Sequence, residues 1–372
     1  MNTTIRVGVV GCGGIAQSQH IPGYMRTADV EVAALCDVNE ALLNQVGDQY
    51  NVPLRTTDYA ELVARPELDA VDICTAPDSH FAIAMAAIHQ GKHVFCEKPL
   101  ALSYAEARQL YEAAQAAGLV TGIGFVHRVT PAARLAHQLI SEGALGEIYS
   151  LMAIFSAGSA NYADQPMRWR NQKAVAGAGA LFDLGSHMVD MTRWWLGQEI
   201  TAVCAQTRIF VPHRQWPNGE TATVDVDDAS TMLANFEGGA MATFMNSFAA
   251  SGRGFDQRVE VYGSNGALIY DQATPTQLAV CIGAEMLKLS ADAGMERRKK
   301  EPYPLLSVAE NLRDRWWTGG GATRSLTPDF IRAIRGETDL FLPTFYEGMK
   351  VQEVLEAGLR SVELESWVKL PL

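Results

Sequence analysis

The sequence predicts two domains: an α/β amino-terminal domain built on a parallel sheet, and an α+β carboxyl-terminal domain with a large, mostly antiparallel open sheet. Three observations predict this. At 372 residues the chain is too long for one ordinary core. In its first third, short β-branched apolar runs alternate with helical segments, the pattern of a parallel sheet covered on both faces. Later, apolar runs follow one another with turn residues between them, as antiparallel hairpins do. The expected division is residues 1–125 and 126–372, with the last helix able to pack back on the first domain.

Element by element, IRVGVVG is the first strand, and GCGGIA follows at once with a helical stretch through SQHIPGYMR. VEVAALCD gives a second strand ending at Asp37. DAVDICTAP is a strand, HFAIAMAAIHQG a helix and KHVFCEKP a strand. AEARQLYEAAQAAG is an amphipathic helix, and the strand LVTGIGF completes the series. In that setting GCGGIA reads as the G-x-G-x-x-A turn of a Rossmann dinucleotide site. Gly11 allows the tight turn, Gly13 lets the backbone approach a pyrophosphate, and Ala16 permits close packing of helix on strand. Gly14 and Ile15 complete the loop, and the helix amino terminus faces the phosphates. Asp37 is placed to accept hydrogen bonds from the adenine-side ribose hydroxyls. It would repel a 2′-phosphate by up to ~4 kcal/mol at a separation of ~4 Å and an effective dielectric of ~20. NAD is therefore expected over NADP. The competing reading of Asp37 is a turn or cap residue.

After GFVHR a helix is expected from Pro131 to Ile140, ended by Gly143 and Gly146, and EIYSLMAIFSAG opens the strand series. ASTMLANFEGGAMATFMNSF and QRVEVYGSNGALIYD are the hairpins, turning at Glu237-Gly238-Gly239 and Ser264-Asn265-Gly266. Before them, DLGSH sets Asp183 four residues ahead of His187, a spacing that puts both on one face of a helix. A carboxylate holding an imidazole is a common acid–base arrangement, and an equally common way to settle a buried histidine. A metal at this pair would need further ligands, and no local cluster of Cys, His or carboxylates supplies them, so no metal is expected. NYADQPMRW reads as a polar loop suited to a lid, and MERRKKEP, residues 295–302, as a solvated loop of mixed charge.

The formal net charge of -12 and a pI near 5.2 argue against nucleic acid and anionic membranes as partners. No apolar run approaches the ~20 residues that span a bilayer. MNTTIRVGVVG moves directly into a strand pattern, without the layout of a secretion signal. The six cysteines form no CxxC pair, and four of them, Cys12, Cys36, Cys74 and Cys96, fall at or just past strand ends. A reduced, cytoplasmic protein is expected.

EKP behind a complete dinucleotide motif, joined by D-x-x-x-H, resembles the Gfo/Idh/MocA family of NAD(P)-dependent oxidoreductases. The resemblance spans nearly the whole chain. It rests on GCGGIA, on TAPDSHFAIAMAAIHQGKHVFCEKPLA, on the tract ending in GFVHR, and on RWR followed by GAGALFDLGSHMVD. VDDASTMLANFEGGAMATF and VEVYGSNGALIYD also fit, while Ala178 interrupts a tract that is often three glycines. It implies oxidation of a sugar or cyclic-polyol hydroxyl, such as an inositol, aldose or anhydrosugar, or the reverse reduction. Lys98, Asp183 and His187 match the family's catalytic lysine, aspartate and histidine. Thr75, Pro77, His80, Glu97 and Lys98 match positions that line the cofactor, and the Lys98–Pro99 bond is a candidate for the cis isomer. His127, Arg128, Trp169 and Arg170 are candidate substrate residues. The same likeness implies a homodimer or homotetramer, with a partner covering the open sheet.

In such a reaction a hydride leaves carbon while a proton leaves the attached hydroxyl. An imidazole, ordinarily titrating near ~6.5, suits His187 to take that proton, with Asp183 orienting the ring. Lys98 would stabilise the developing alkoxide. Which of Lys98 and His187 accepts the proton is left open by the sequence. Two rival readings are a hydrolase of the same fold that recycles bound NAD, and a non-catalytic NAD-binding regulatory protein. Relatives of the first kind generally lack the EKP lysine, and a regulator has no use for an acid–base set.

Overall fold

The computed structural model describes residues 4–158, 164–283, 305–307, 325–338 and 340–372. Residues 161–163 of the expected lid and the mixed-charge tract 295–302 lie outside them. The chain divides into two compact units. The first takes the described residues of Met1–Val129, Ala174–Gly177 and Thr318–Gln352; the second takes those of Thr130–Lys173, Ala178–Trp317 and Glu353–Leu372.

The first unit is built on strands β1 (Ile5–Val10), β2 (Val30–Cys36), β3 (Leu54–Thr56), β4 (Ala70–Ile73), β5 (His93–Cys96) and β6 (Thr121–Ile123). They form one sheet in the order β3-β2-β1-β4-β5-β6, with every pairing parallel. The order reverses between β1 and β4, and ligands of such sheets bind at the carboxyl ends of the strands beside that switch. Strands β4 and β6 are buried along their whole length, as strands of a parallel sheet covered on both faces are. The helices are α1 (Ile21–Met25), α2 (Glu40–Tyr50), α3 (Tyr59–Val63), α4 (Pro77–His89) and α5 (Tyr104–Ala116). Side chains of Asn39, Asp58 and Ser103 accept from first-turn amides of α2, α3 and α5, and Pro77 opens α4. The core joins Val7, Val9, Leu35 and Phe95 of the sheet to Tyr24 of α1 and to Phe330 and Ile331 of the helix Thr327–Ile334. The sequence reading passes from Asp37 to DAVDIC without α2, β3 and α3. Strand β3 has only three half-buried residues, too short a run to carry a periodicity.

In the second unit, α6 (Pro131–Ser141) leads to β7 (Ile148–Ala157); α7 (Lys173–Ala176) belongs, but for Lys173, to the first unit. There follow α8 (Ala180–Asp183), α9 (Gly185–Leu196), β8 (Ile200–Arg208), the small hairpin β9 (His213–Gln215) with β10 (Thr221–Thr223), β11 (Ala229–Phe236) and β12 (Met241–Ser247). Then come β13 (Phe255–Gly263), β14 (Gly266–Asp271), β15 (Gln277–Ile282), β16 (Leu305–Ser307) and β17 (Val368–Lys369). Nine strands run in the order β16-β15-β14-β13-β7-β12-β11-β8-β17. All pairs are antiparallel except β7 with β12, so the expected open sheet is present and is mixed at its centre. The two hairpins turn where expected. Along β11, Met232, Ala234 and Phe236 are buried while Thr231, Leu233 and Asn235 are exposed, the period of two that a half-covered sheet requires. Among the described residues, no helix is long and apolar enough to cross a membrane.

Candidate functional site

The glycine loop joins β1 to a helix that starts at Gly14, passes through a π-helical turn over Ala16–His20 and continues as α1. Gly11 has φ +94°, and a Cβ there would lie 2.7 Å from the Cys74 carbonyl carbon, so only glycine passes. Gly13 and Gly14 differ: a Cβ on either would meet no atom within 4 Å. Space therefore stands over the first amides of a helix, where an anionic pyrophosphate fits. Asp37, half-buried at the end of β2, accepts from the Cys12 N–H at 2.7 Å and from the Asn39 N–H at 2.8 Å. It thus ties the loop to the second strand, and each oxygen keeps a further lone pair for a ribose hydroxyl. Cys12 and Cys36 are buried, and their thiols are pushed up to about 12, chiefly by burial and then by Asp37. They pack rather than react.

On the same edge, the loops after β4 and β5 are pinned together. His80, in the first turn of α4, sits with Nδ1 2.8 Å from the Pro99 carbonyl oxygen and Nε2 3.1 Å from that of Thr75. Burial holds its ring below the ordinary imidazole range despite those two acceptors. Thr75 accepts from the Ser79 hydroxyl, and Pro77 is buried at the start of α4. Lys98 is the second residue past β5, is half-buried, and is joined to Pro99 by a cis peptide bond. Glu97 turns inward: Oε2 accepts from the Lys98 N–H at 3.1 Å, and Oε1 lies 3.0 Å from His20 Nε2. Burial pushes its carboxyl up, but the His20 bond and charge, with Lys98, outweigh this and hold it low. His127 and Arg128 are buried on the 3-10 turn Val126–Val129 that follows β6.

In the second unit, Asp183 ends α8 and His187 lies in the first turn of α9, with Leu184 between them. Both residues thus lie in helices, one of 4 residues and one of 12, joined at Leu184, whose backbone stays in the right-handed helical region. His187 is buried, its ring centroid 6.0 Å from that of Phe155; Asp183 is half-buried. The start of α8 is held by Asp227, whose carboxylate accepts from the Gly179 N–H at 2.8 Å and the Leu181 N–H at 2.9 Å. Trp169 and Arg170 stand on a 3-10 turn, with the Arg170 guanidinium 4.3 Å over the indole ring. Trp169 is only half-buried, so it is not a core residue.

Comparison with known proteins fits this architecture. Residues 5–125 match the oxidoreductase family with NAD-binding Rossmann fold, and residues 133–269 match the GFO/IDH/MocA C-terminal domain. Over 276 residues the chain is 30% identical to myo-inositol 2-dehydrogenase of Thermotoga maritima, covering 74% of this chain and 78% of that one. The chain belongs to the Gfo/Idh/MocA family. Over 358 residues it is 29% identical to levoglucosan dehydrogenase of Pseudarthrobacter phenanthrenivorans, covering 91% of this chain and 89% of that one. A solved levoglucosan dehydrogenase, in complex with NADH and levoglucosan, superimposes with a TM-score of 0.84 at 26% identity, over 99% of this chain and all of that one. As a member of the family the protein is an oxidoreductase, and NAD is its cofactor.

Asp72, His20 and Asp227 also hold structural places that the sequence reading leaves unmarked. Asp72 interrupts the buried strand AVDI, and a buried carboxylate must find a partner. That partner is His20, four residues past Ala16 in the first helix. Asp227 stands in VDVDDAS, where a pair of acids just ahead of a strand was the legible sign.

Proposed function

We propose that the protein transfers a hydride between NAD and the hydroxyl-bearing carbon of a sugar or cyclic polyol, with Lys98, Asp183 and His187 managing the hydroxyl proton. The observation that carries this reading is the placement of Lys98. It emerges at the carboxyl end of β5, on the sheet edge that also holds the open glycine loop after β1. The named activities of the two relatives, on levoglucosan and on myo-inositol, support a polyhydroxylated ring as substrate. NAD supplies the hydride acceptor. His187 takes the hydroxyl proton, Asp183 orients its ring, and Lys98 stabilises the alkoxide. Asp37 selects NAD by repelling a 2′-phosphate. His127, Arg128, Trp169 and Arg170 contact the substrate.

The test is a screen of inositols, aldoses and anhydrosugars with NAD, read at the nicotinamide absorbance band. Net NADH formation supports the reading, and release of a sugar without NADH replaces it with the hydrolase. Lys98→Ala and His187→Ala should each cut turnover at least ~10²-fold with NAD still bound. Near-wild-type turnover removes that residue from the mechanism.

A second copy of the chain is the occupant we assign to the open face of the large sheet. Met152, Leu233, Met241 and Met245 stand exposed there on three adjacent strands, 37%, 48%, 63% and 45% accessible. Leu233→Glu should lower the mass measured by light scattering; an unchanged mass refutes the assignment.

A further inference from the structure

Inside the first unit, below the EKP turn, lies a closed polar cluster that the reaction itself does not call for. His20, Asp72 and Glu97 are 2%, 0% and 8% exposed. Asp72 brings its oxygens to 3.1 and 2.9 Å from His20 Nδ1, while Glu97 Oε1 lies 3.0 Å from Nε2. Ionised carboxylates only accept, so a ring facing one at each nitrogen is satisfied in full as the imidazolium. Cys74 Sγ lies 3.3 Å from Nδ1 and 3.5 Å from Asp72 Oδ1, and the Tyr24 phenol is buried nearby. Ligand atoms of His20, Asp72 and Cys74 fall within 4.8 Å of one another, but their hydrogen bonds account for that spacing. Burial pushes the Cys74 thiol up.

Burying such a charged set is seldom stabilising compared with apolar residues of the same volume, so stability alone is a poor reason for it. The set connects to the EKP turn. The far oxygen of Glu97 takes the backbone N–H of Lys98. Room for that carboxylate is secured by Gly124, where a Cβ would lie 2.5 Å from Glu97 Oε1. We propose that His20 and Asp72 are positioning residues for Lys98, acting through Glu97: His20 clamps the carboxylate, Asp72 fixes the ring, and the carboxylate holds the lysine main chain in register. The proposal rests on the reading of Lys98 as the group that stabilises the substrate alkoxide.

A double-variant cycle tests it, using levoglucosan, myo-inositol or whichever sugar of the screen gives NADH. His20→Gln should lower kcat about 10- to 100-fold, the scale of a small misplacement of a reacting group, while KM and NAD affinity change less than about threefold. In a Lys98→Ala background the same change should cost less than about twofold, because the residue it positions is gone. Equal loss in both backgrounds, or wild-type kcat in His20→Gln beside an impaired Lys98→Ala, overturns the inference alone. Wild-type turnover in Lys98→Ala overturns the reading beneath it. Should His20→Gln fail to fold, Asp72→Asn replaces it in the same cycle with the same expected outcomes. On the unaltered protein, nitrogen-15 NMR should find both His20 ring nitrogens protonated at pH 7; a single protonated nitrogen refutes the clamp.

Discussion

Each unit turns into a helix through a glycine-rich loop, and each ties that loop with an aspartate. In GCGGIA, Asp37 accepts from the amides of Cys12 and Asn39; in GAGALFD, Asp227 accepts from those of Gly179 and Leu181. The glycines serve opposite ends. Nothing lies within 4 Å of a Cβ built on Gly13 or Gly14, whereas one on Gly179 would sit 1.8 Å from the Asp227 carbonyl oxygen. The first loop leaves room for a ligand, and the second leaves room for its own backbone. Asp37 is accordingly half-buried with lone pairs to offer, while Asp227 is buried and its carboxyl is pushed up by burial despite the amide bonds. A glycine in a sequence does not say which of these it is. What occupies the place of its missing side chain does.

The largest expected effect follows from that contrast. Gly179→Ala must displace the Asp227 backbone and the start of α8, and should cost more than about 3 kcal/mol. Gly13→Ala should leave the melting temperature of the NAD-free protein within a degree or two of wild type and weaken NAD instead. Thermal unfolding with and without NAD measures both. Similar losses of stability at the two positions would break the comparison.

A pH series sharpens it from the side of the buried charges. Asp72 raises His20 well above its ordinary value of 6.5 against the pull of burial, and Glu97 is held below its ordinary 4.5. The His20 contribution to stability is therefore complete below 6.5 and lost as pH rises through its folded value. The Glu97 contribution is complete above 4.5 and lost as pH falls through its folded value. Both are present in full between those two limits. The difference in urea midpoint between wild type and His20→Gln should be greatest in that window and shrink as the pH is raised. A difference independent of pH would mean that the ring is not charged. Asp227 carries the opposite sign to Glu97: with its folded value raised, its contribution is complete below the ordinary 3.8 and lost as pH rises.

The sheets, the glycine turn and the two hairpins were legible because each rests on a local pattern: an apolar run, a period of two, or a turn residue between strands. The junction at Leu184 was not, because a spacing of four fits one helix or two joined end to end equally. The His20–Asp72–Glu97 cluster was hidden for another reason. Its members are 52 and 77 residues from His20, and only the parallel order β1-β4-β5 brings them together. A lone acid inside AVDI signals that a partner exists without saying which. Asp37 was read as a ribose ligand or a turn residue, and its two backbone bonds make the second true without removing the first.

That double duty sets the next prediction. Asp37→Ala should weaken NAD by at least about tenfold, the equivalent of 1.4 kcal/mol, and narrow the preference over NADP. It should also cost about 1 kcal/mol of stability through the lost Cys12 and Asn39 bonds. Loss of stability with unchanged cofactor selectivity would make the residue a tie alone, as Asp227 is.

The smallest effect discriminates best, because its two parts have opposite signs. Gly14 is exposed, sits in the first turn of the helix, and has open space where a Cβ would stand. Alanine there removes backbone freedom from the unfolded chain and improves helix propensity, so Gly14→Ala should gain about 0.5 kcal/mol in the NAD-free protein. With NAD present the same methyl group occupies the space left for the pyrophosphate, and the gain should turn into a loss of affinity. Paired unfolding curves, with and without NAD, would reveal the crossing. A gain that persists at saturating NAD would mean that the emptiness over this loop is not where the phosphates lie.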